Sequence, residues 1–353
     1  MKTKVLVGMS GGVDSSSTAL VLKEKGYEVA GITFEMFDSE KVCGCKSAEK
    51  NSEDAKSVAD KLDFEHYTVN VEDTFCEKVI DAFISSYKNG ETPNPCIECN
   101  KFIKFSKMLE KADELGIKYI ATGHYAKVVY DEDKKRYLLK KAADEKKDQS
   151  YVLYNLTQEQ LSRLLLPIGD LSKEQIREKA KEKELVNADK PDSQDICFVP
   201  DGDYVSFIEH YTGKKTKEGN MIDTDGNVVA KHRGIECYTI GQRKGLGVSF
   251  GEPKFVVSKN AQTNEVIIGD ESHLMKKSLI ATEVNFIFPE KLEKPLKVCA
   301  KTRYNQKEQP AVISPLENGE VLVEFEAMQR AVTPGQSVVF YDGDTVVGGG
   351  KIK

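Results

Sequence analysis

One nine-residue stretch restricts this chain more than any other. Gly8-Met9-Ser10-Gly11-Gly12-Val13-Asp14-Ser15-Ser16 stands between a β-rich run, Lys4 to Val7, and a helically spaced one, Ser15 to Lys25. Glycines let a backbone turn sharply and come close to a ligand, and the first amides of the following helix offer unpaired N–H groups at a positive dipole end. Ser10, Ser15 and Ser16 add hydroxyls. The stretch reads as an anion cradle between a strand and a helix. It has no Lys of the Walker A kind, so γ-phosphate recognition of that type is not implied.

The same alternation continues. Val29 to Thr33 reads as a strand, Ser52 to Leu62 as a helix, His66 to Val71 as a strand, Phe102 to Leu115 as a helix and Lys118 to Thr122 as a strand. Alternating elements of this kind predict an α/β fold with a parallel sheet covered by helices. Leu156 to Leu166 and Ser172 to Lys183 read as further helices, the second with a Ser172/Gln175 capping box. Beyond about residue 205 helical spacing fades and turn signals such as Asp225-Gly226 appear. We expect a catalytic domain over 1–203, a small mixed central domain over 204–274 and a β-barrel over 275–353; 353 residues suffice for such a division.

Charge and cysteine content narrow the setting. A net charge of −6 argues against indiscriminate nucleic-acid binding but leaves room for a basic face. Lys134, Lys135, Arg136, Lys140, Lys141, Lys146 and Lys147 form one basic concentration and Arg243-Lys244 another; solvated surface charge is the plainer reading of such runs. No apolar run is long enough to span a bilayer. The start at Met1 runs straight into a strand-like segment, so a cytoplasmic chain without an export signal is expected, with its eight cysteines reduced.

Two cysteine settings carry chemistry. Cys96 and Cys99 form a C-x-x-C pair behind Pro93 and Pro95, which stiffen the segment that presents them. Cys197 lies in the polar string Asp192-Ser193-Gln194-Asp195-Ile196-Cys197-Phe198. A lone thiol is usually a small buried hydrophobe, whereas a C-x-x-C pair turns attention to redox, metal or sulfur chemistry. A working thiol must ionise, so a cation or helix end that lowers a thiol pKa is expected nearby.

The loop string SGGVDSS resembles that of the PP-loop ATPases, which split ATP between its α and β phosphates. TPNPCIECNKFIKF (92–105), ATGHYA (121–126), KDQSY (147–151), DSQDICF (192–198), YTIGQRKGLG (238–247), RY (303–304) and AVTPGQ (331–336) follow in order. Together they resemble the tRNA-specific 2-thiouridylases over nearly the whole chain. The resemblance implies an enzyme that uses ATP and Mg²⁺ to adenylate the C2 oxygen of the wobble uridine and replace it with sulfur. It implies ATP contacts at Gly8, Met9, Ser10, Gly11, Gly12, Val13, Asp14, Ser15, Phe34 and Gly123, with Asp14 as the magnesium-side acid. Cys99 corresponds to the family's nucleophile and Cys197 to its persulfide carrier, the two closing a transient disulfide. Asn94, Pro95 and Cys96 correspond to the segment beside the target base. His124, Lys147, Asp148, Gln149, Ser150, Arg303, Tyr304 and Gln336 correspond to tRNA contacts. The implied partners are the tRNAs for Lys, Glu and Gln, and a cysteine desulfurase or sulfur-relay protein.

The chain departs from the family at three points. Many relatives carry Asp where Cys96 stands, which opens a second route: Cys96, Cys99 and Cys197 holding a [4Fe–4S] cluster whose fourth iron binds sulfide. Spacing does not separate this from the persulfide route. Many also carry Met where Phe34 stands, with Met36 two residues on. Cys43 and Cys45 form an extra pair open to metal binding, a sulfur relay or a role as surface thiols, the last being the plainest reading, and Cys76, Cys237 and Cys299 read as structural. Two rival classes fit the loop without the thiols: a PP-loop synthetase of another substrate, and a non-catalytic RNA-binding protein.

Overall fold

The computed structural model describes residues 2–38, 40, 42, 48–191 and 196–353. Cys43, Cys45 and Asp192 to Asp195 lie outside the described residues. The chain forms two compact units. The first comprises 1–79, 96–200 and 344–346, the second 80–95, 201–343 and 347–353.

In the first unit, β1 (Lys4–Gly8), β2 (Glu28–Glu35), β3 (His66–Asn70), β4 (Tyr119–Ala121) and β7 (Leu164–Leu165) form a parallel sheet in the order β3-β2-β1-β4-β7. Crossovers of this type put helices on the sheet faces, so the central strands are apolar on both sides: Val5, Leu6 and Val7 are fully buried. Val5, Val7, Val29 and Ala121 join Ala19, Leu22, Val58 and Ile176 in one core. Between β4 and β7 the chain makes an antiparallel hairpin, β5 (Ala126–Asp131) and β6 (Arg136–Lys141).

Two elements differ from the sequence expectation. Phe102 to Leu115 is not one regular helix: a π-helical turn, Asn100–Phe105, precedes the α-helix Ser106–Glu114. The wider turn displaces backbone partners, and the Ser106 hydroxyl donates to the Lys101 carbonyl at 2.6 Å. Leu156 to Leu166 is helical only over Gln158–Arg163, because Leu164 and Leu165 pair with Ile120 and Ala121 and complete the sheet edge. There tertiary pairing overrides helix propensity. The Ser172/Gln175 capping box forms as read, opening the helix Lys173–Glu182.

The second unit holds a four-stranded sheet and a closed barrel. β8 (Gly219–Ile222), β9 (Val228–His232), β10 (Phe255–Asn260) and β11 (Glu265–Gly269) lie in the order β10-β11-β8-β9 around Met221, Val256, Val266 and Ile268. The barrel runs β12 (Met275–Phe286), β15 (Val321–Arg330), β14 (Gln309–Pro315), β13 (Leu296–Lys301), β16 (Ser337–Asp342) and β17 (Thr345–Ile352). It closes where Ala281 to Phe286 pairs antiparallel with Gly348 to Ile352. Closure removes the open sheet edges. Alternate inward residues, among them Val321, Val323 and Phe325, fill the interior.

Candidate active site

The glycine loop leaves β1 at the C-terminal end of the parallel sheet, the end at which open α/β sheets place their ligands. Gly11 adopts φ +69°, a conformation that L side chains rarely take, and this turn carries the chain into the helix Val13–Glu24. Phe34 lies at the same end of the neighbouring strand β2 and is half-buried. Gly123, just past β4, faces the loop from the other side. A Cβ there would sit 2.8 Å from both the Asp14 carbonyl carbon and the Ser15 nitrogen. Gly8 to Ser15 and Gly123 therefore come together.

Much of the loop's side-chain chemistry is spent on bracing it. Ser15 and Ser16 are buried. The Ser15 hydroxyl donates to the Gly12 carbonyl at 3.0 Å and accepts from the Ser10 amide at 3.1 Å. Asn187 donates to the Gly11 carbonyl at 3.1 Å and to the Ser16 hydroxyl at 2.7 Å, while its own Oδ1 is buried with no partner among the described residues. Lys190 reaches Gly11 O at 3.2 Å and pairs with Asp54 at 2.7 Å. Sequence reading treated these serines as anion donors; two of the three instead serve the loop's own shape. The backbone amides remain the anion-facing groups, as expected at a helix N-terminus.

Asp14, the second residue of that helix, is clasped by two groups the sequence reading missed. Lys173 Nζ lies 2.7 and 2.8 Å from its two carboxylate oxygens, and the Tyr125 hydroxyl donates to Oδ1 at 2.7 Å. Tyr125 is fixed in turn by Gln149. The Tyr125 amide donates to the Gln149 side chain at 3.0 Å and the Gln149 amide to the Tyr125 carbonyl at 2.8 Å. Within the same segment, Asp148 accepts from the Ala142 amide at 3.0 Å and from the Ser150 hydroxyl at 2.7 Å, and Ser150 is fully buried. Lys147 is half-buried. Lys147 to Ser150 thus supports the floor under Asp14, with Ser150 withdrawn from the surface.

The thiols gather elsewhere in the same unit. Pro95 opens a short helix, Pro95–Cys99, as suits a residue with fixed φ and no N–H to place. Cys96 is exposed and Cys99 buried. Burial pushes the Cys99 thiol up to about 11, with Cys96 adding to the rise and Lys104 opposing it. Cys197 has an open surface, yet protein atoms crowd it, and its thiol is pushed up to about 12 by that crowding and then by Cys99 and Cys96, again against Lys104. The open surface leaves Cys197 accessible, and the neighbouring thiols disfavour its thiolate. The three cysteines are thus electrostatic neighbours, with Lys104 acting on Cys99 and Cys197. The expected lowering of a thiol pKa is not found: Lys104 acts in that direction, but burial outweighs it.

His124 is buried beside this group. Thr122 Oγ1 lies 2.8 Å from its Nδ1, Phe105 stacks on it at 5.8 Å, and burial with Lys104 holds it down to about 3. It is a neutral imidazole in a satisfied setting. Lys104 touches the electrostatics of all three groups; its only sequence signal was its place five residues after Cys99. Among the described residues no three of His, Cys, Asp and Glu gather as a metal-holding set, so the arrangement of Cys96, Cys99 and Cys197 does not favour the iron–sulfur alternative. For magnesium, Asp14 supplies one carboxylate beside the cradle, which suits an ion carried in on phosphates.

In the second unit, Arg303 donates through Nη2 to Ala331 O at 2.9 Å, Thr333 Oγ1 at 2.8 Å and Ile240 O at 3.2 Å. Tyr304 beside it is half-buried. Gln336 donates to the Thr92 carbonyl at 2.7 Å, and the Thr92 amide donates to Pro334 O at 2.9 Å. The turn 331–336 therefore grips the segment that leads through Asn94 and Pro95 to the cysteines. Of the basic concentration, Lys134 pairs with Asp131 and Lys140 with Asp344, as solvated surface charge does.

Parallel sheet, glycine loop and helix N-terminus together define a nucleotide-binding α/β domain of the HUP class. Residues 3–201 match the family model described as a tRNA methyl transferase HUP domain; 205–270 match its PRC-barrel domain and 276–352 an aminomethyltransferase beta-barrel domain. The chain is 56% identical to a tRNA-specific 2-thiouridylase MnmA of Acetivibrio thermocellus, over all of this chain and 99% of that one. It is 52% identical to the protein of the same name from Clostridioides difficile, over 100% of this chain and 99% of that one. The chain belongs to the tRNA-specific 2-thiouridylase family. No helix among the described residues is long and apolar enough to cross a membrane.

Proposed function

We propose that this protein is a tRNA-uridine 2-sulfurtransferase that replaces the C2 oxygen of the wobble uridine with sulfur at the expense of ATP. The observation that carries this reading is that one unit holds both an anion-binding glycine loop and the group of Cys96, Cys99 and Cys197, in a chain that matches thiouridylases end to end.

The uracil C2 oxygen attacks the α-phosphorus of ATP. The α–β anhydride bond breaks, and pyrophosphate departs against the amides that follow Gly12. Adenylation turns a poor leaving group into AMP. The terminal sulfur of a Cys197 persulfide then bonds to C2. Cys99 as thiolate attacks the inner Cys197 sulfur, the S–S bond breaks toward the substrate sulfur, AMP leaves, and a Cys99–Cys197 disulfide remains. An external thiol reductant supplies the two electrons that reopen it. Magnesium bound with the nucleotide would neutralise phosphate charge, and Asp14 would be the carboxylate to share it. Exposure of Cys197 suits loading by a desulfurase or relay protein, and burial of Cys99 suits a thiol kept from other oxidants.

The division into 1–203, 204–274 and 275–353, the isoacceptors for Lys, Glu and Gln, and a cytoplasmic setting complete the proposal. Mass spectrometry of wobble nucleosides from cells lacking the protein tests it. The expected result is loss of 2-thiouridine derivatives. Their persistence at normal level sinks the reading.

A further inference from the structure

We infer that Lys173 is the cation of the phosphate loop, held ready by Asp14 and passed to the departing pyrophosphate during adenylation. This rests on the ATP-dependent reading above and adds a residue to it.

From Gly8 to Ser16 the loop has no Lys or Arg, yet a site that releases pyrophosphate must steady several negative charges as the anhydride bond breaks. The fold brings a cation from 159 positions away: Lys173 Nζ lies 2.7 and 2.8 Å from the two oxygens of Asp14, the acid of that loop. Lys173 is a poor choice for structure alone. It is the first residue of the helix Lys173–Glu182, where the dipole disfavours a cation, and its side chain is 8% exposed. Ion pairs this withdrawn are often no more stabilising than an apolar replacement.

The environment also aims the ammonium. The ring of Tyr125 lies 5.9 Å from Nζ, and its hydroxyl shares Asp14 Oδ1 with the lysine. Asp14 itself is 31% exposed, so the pair has a buried end at Lys173 and an open end at Asp14, the acid of the loop. Among the described residues Lys190 also reaches the loop, but at the Gly11 carbonyl, and it is engaged by Asp54 and Asn51. When the α–β bond breaks, its electron pair leaves on the pyrophosphate oxygen. A Lys173 N–H donates to that oxygen as its bond to Asp14 loosens. No proton or electron from outside is required. Lys173 acts on the leaving group, and Asp14 is its positioning residue.

The test uses the full chain with unthiolated tRNA. Initial rates of pyrophosphate release are measured, and calorimetric titrations with inorganic pyrophosphate and, separately, with AMP are run on the same samples. Lys173→Met should slow release about 100-fold, the scale of losing one donor to a developing oxyanion. It should weaken pyrophosphate binding about tenfold or more while leaving AMP binding within about twofold, and Lys173→Arg should recover a large part of both. The uncharged double variant D14N/K173M should melt near the wild-type temperature without regaining pyrophosphate binding. Near-normal release by Lys173→Met overturns the inference. So does equal loss of pyrophosphate and AMP binding with recovery of both in the double variant, which makes the pair a strut. A wild-type chain that releases no pyrophosphate at all overturns the adenylating function instead, and the binding titrations still decide Lys173.

Discussion

The glycine loop and the thiol group occupy the same unit and are prepared in opposite ways. Around the loop nearly every polar side chain is already committed: Ser15 to Gly12, Asn187 to Gly11 and Ser16, Tyr125 and Lys173 to Asp14. Its amides are held where an anion needs them before any anion arrives, so little reorganisation accompanies the reaction. The thiols are not prepared in that sense. Cys99 and Cys197 are each pushed upward, and Lys104 offsets only part of the effect. A preformed thiolate would be open to oxidation at all times. On the proposed reaction, the contrast is between a phosphate loop already organised in the resting protein and thiols whose ionisation is left to the complex with substrate.

Removing the thiols should separate the two halves most sharply. Cys99→Ser and Cys197→Ser are each expected to lower thiolation by about a thousandfold or more, since the nucleophile or carrier is gone. Pyrophosphate release in the presence of tRNA should stay within a few-fold of wild type. Mass spectrometry of nucleosides and a pyrophosphate assay on the same variants read both; loss of both activities together would abolish the distinction drawn here.

Acidity sharpens it next. Below a raised thiol pKa the thiolate fraction grows tenfold per pH unit. With Cys99 up near 11, the single-turnover sulfur-transfer rate should rise about 100-fold from pH 7 to pH 9 without levelling off. His124, held near 3, should add no break around pH 6.5. A plateau setting in at pH 7 would mean that bound tRNA lowers the thiol pKa by several units, and would locate the missing activation in the complex.

A smaller effect is expected from Gly123→Ala. The new methyl would press on the Asp14–Ser15 backbone from 2.8 Å, shifting amides that must stay put. ATP affinity should fall about tenfold, and thiol reactivity toward an alkylating reagent should not change. Equal effects on both would show that the two sites are mechanically one. The least effect belongs to Lys134→Ala, whose exposed pair with Asp131 contributes little to stability. Thermal unfolding should barely move, and tRNA affinity should stay within about twofold; a larger loss of affinity would make that hairpin part of the RNA surface.

What could be read beforehand divides along the same line. Strand–glycine–helix order and the apolar runs of β1 and β2 announced the parallel sheet, because backbone chirality and burial on both faces leave few alternatives. The capping box at Ser172 was equally local and formed as written. Leu164-Leu165 was misread because two residues of strand have no signal of their own beyond the partner they meet. The π turn at Asn100–Phe105 was missed for a related reason: it belongs to a segment whose spacing is that of an ordinary helix.

The amino-acid order alone therefore determined the class of fold and the strand–glycine–helix loop, and it marked the C-x-x-C pair and Cys197 as the thiols to examine, since each depends on neighbours within a few residues. Only the tertiary structure decided how those parts are tuned. It placed Lys173 and Tyr125 on Asp14, withdrew Ser15 and Ser16 into the loop's own support, and let burial outweigh Lys104 at Cys99. Charge pairing and desolvation depend on distance through space, and residues 14, 125 and 173 become neighbours only when the sheet is assembled.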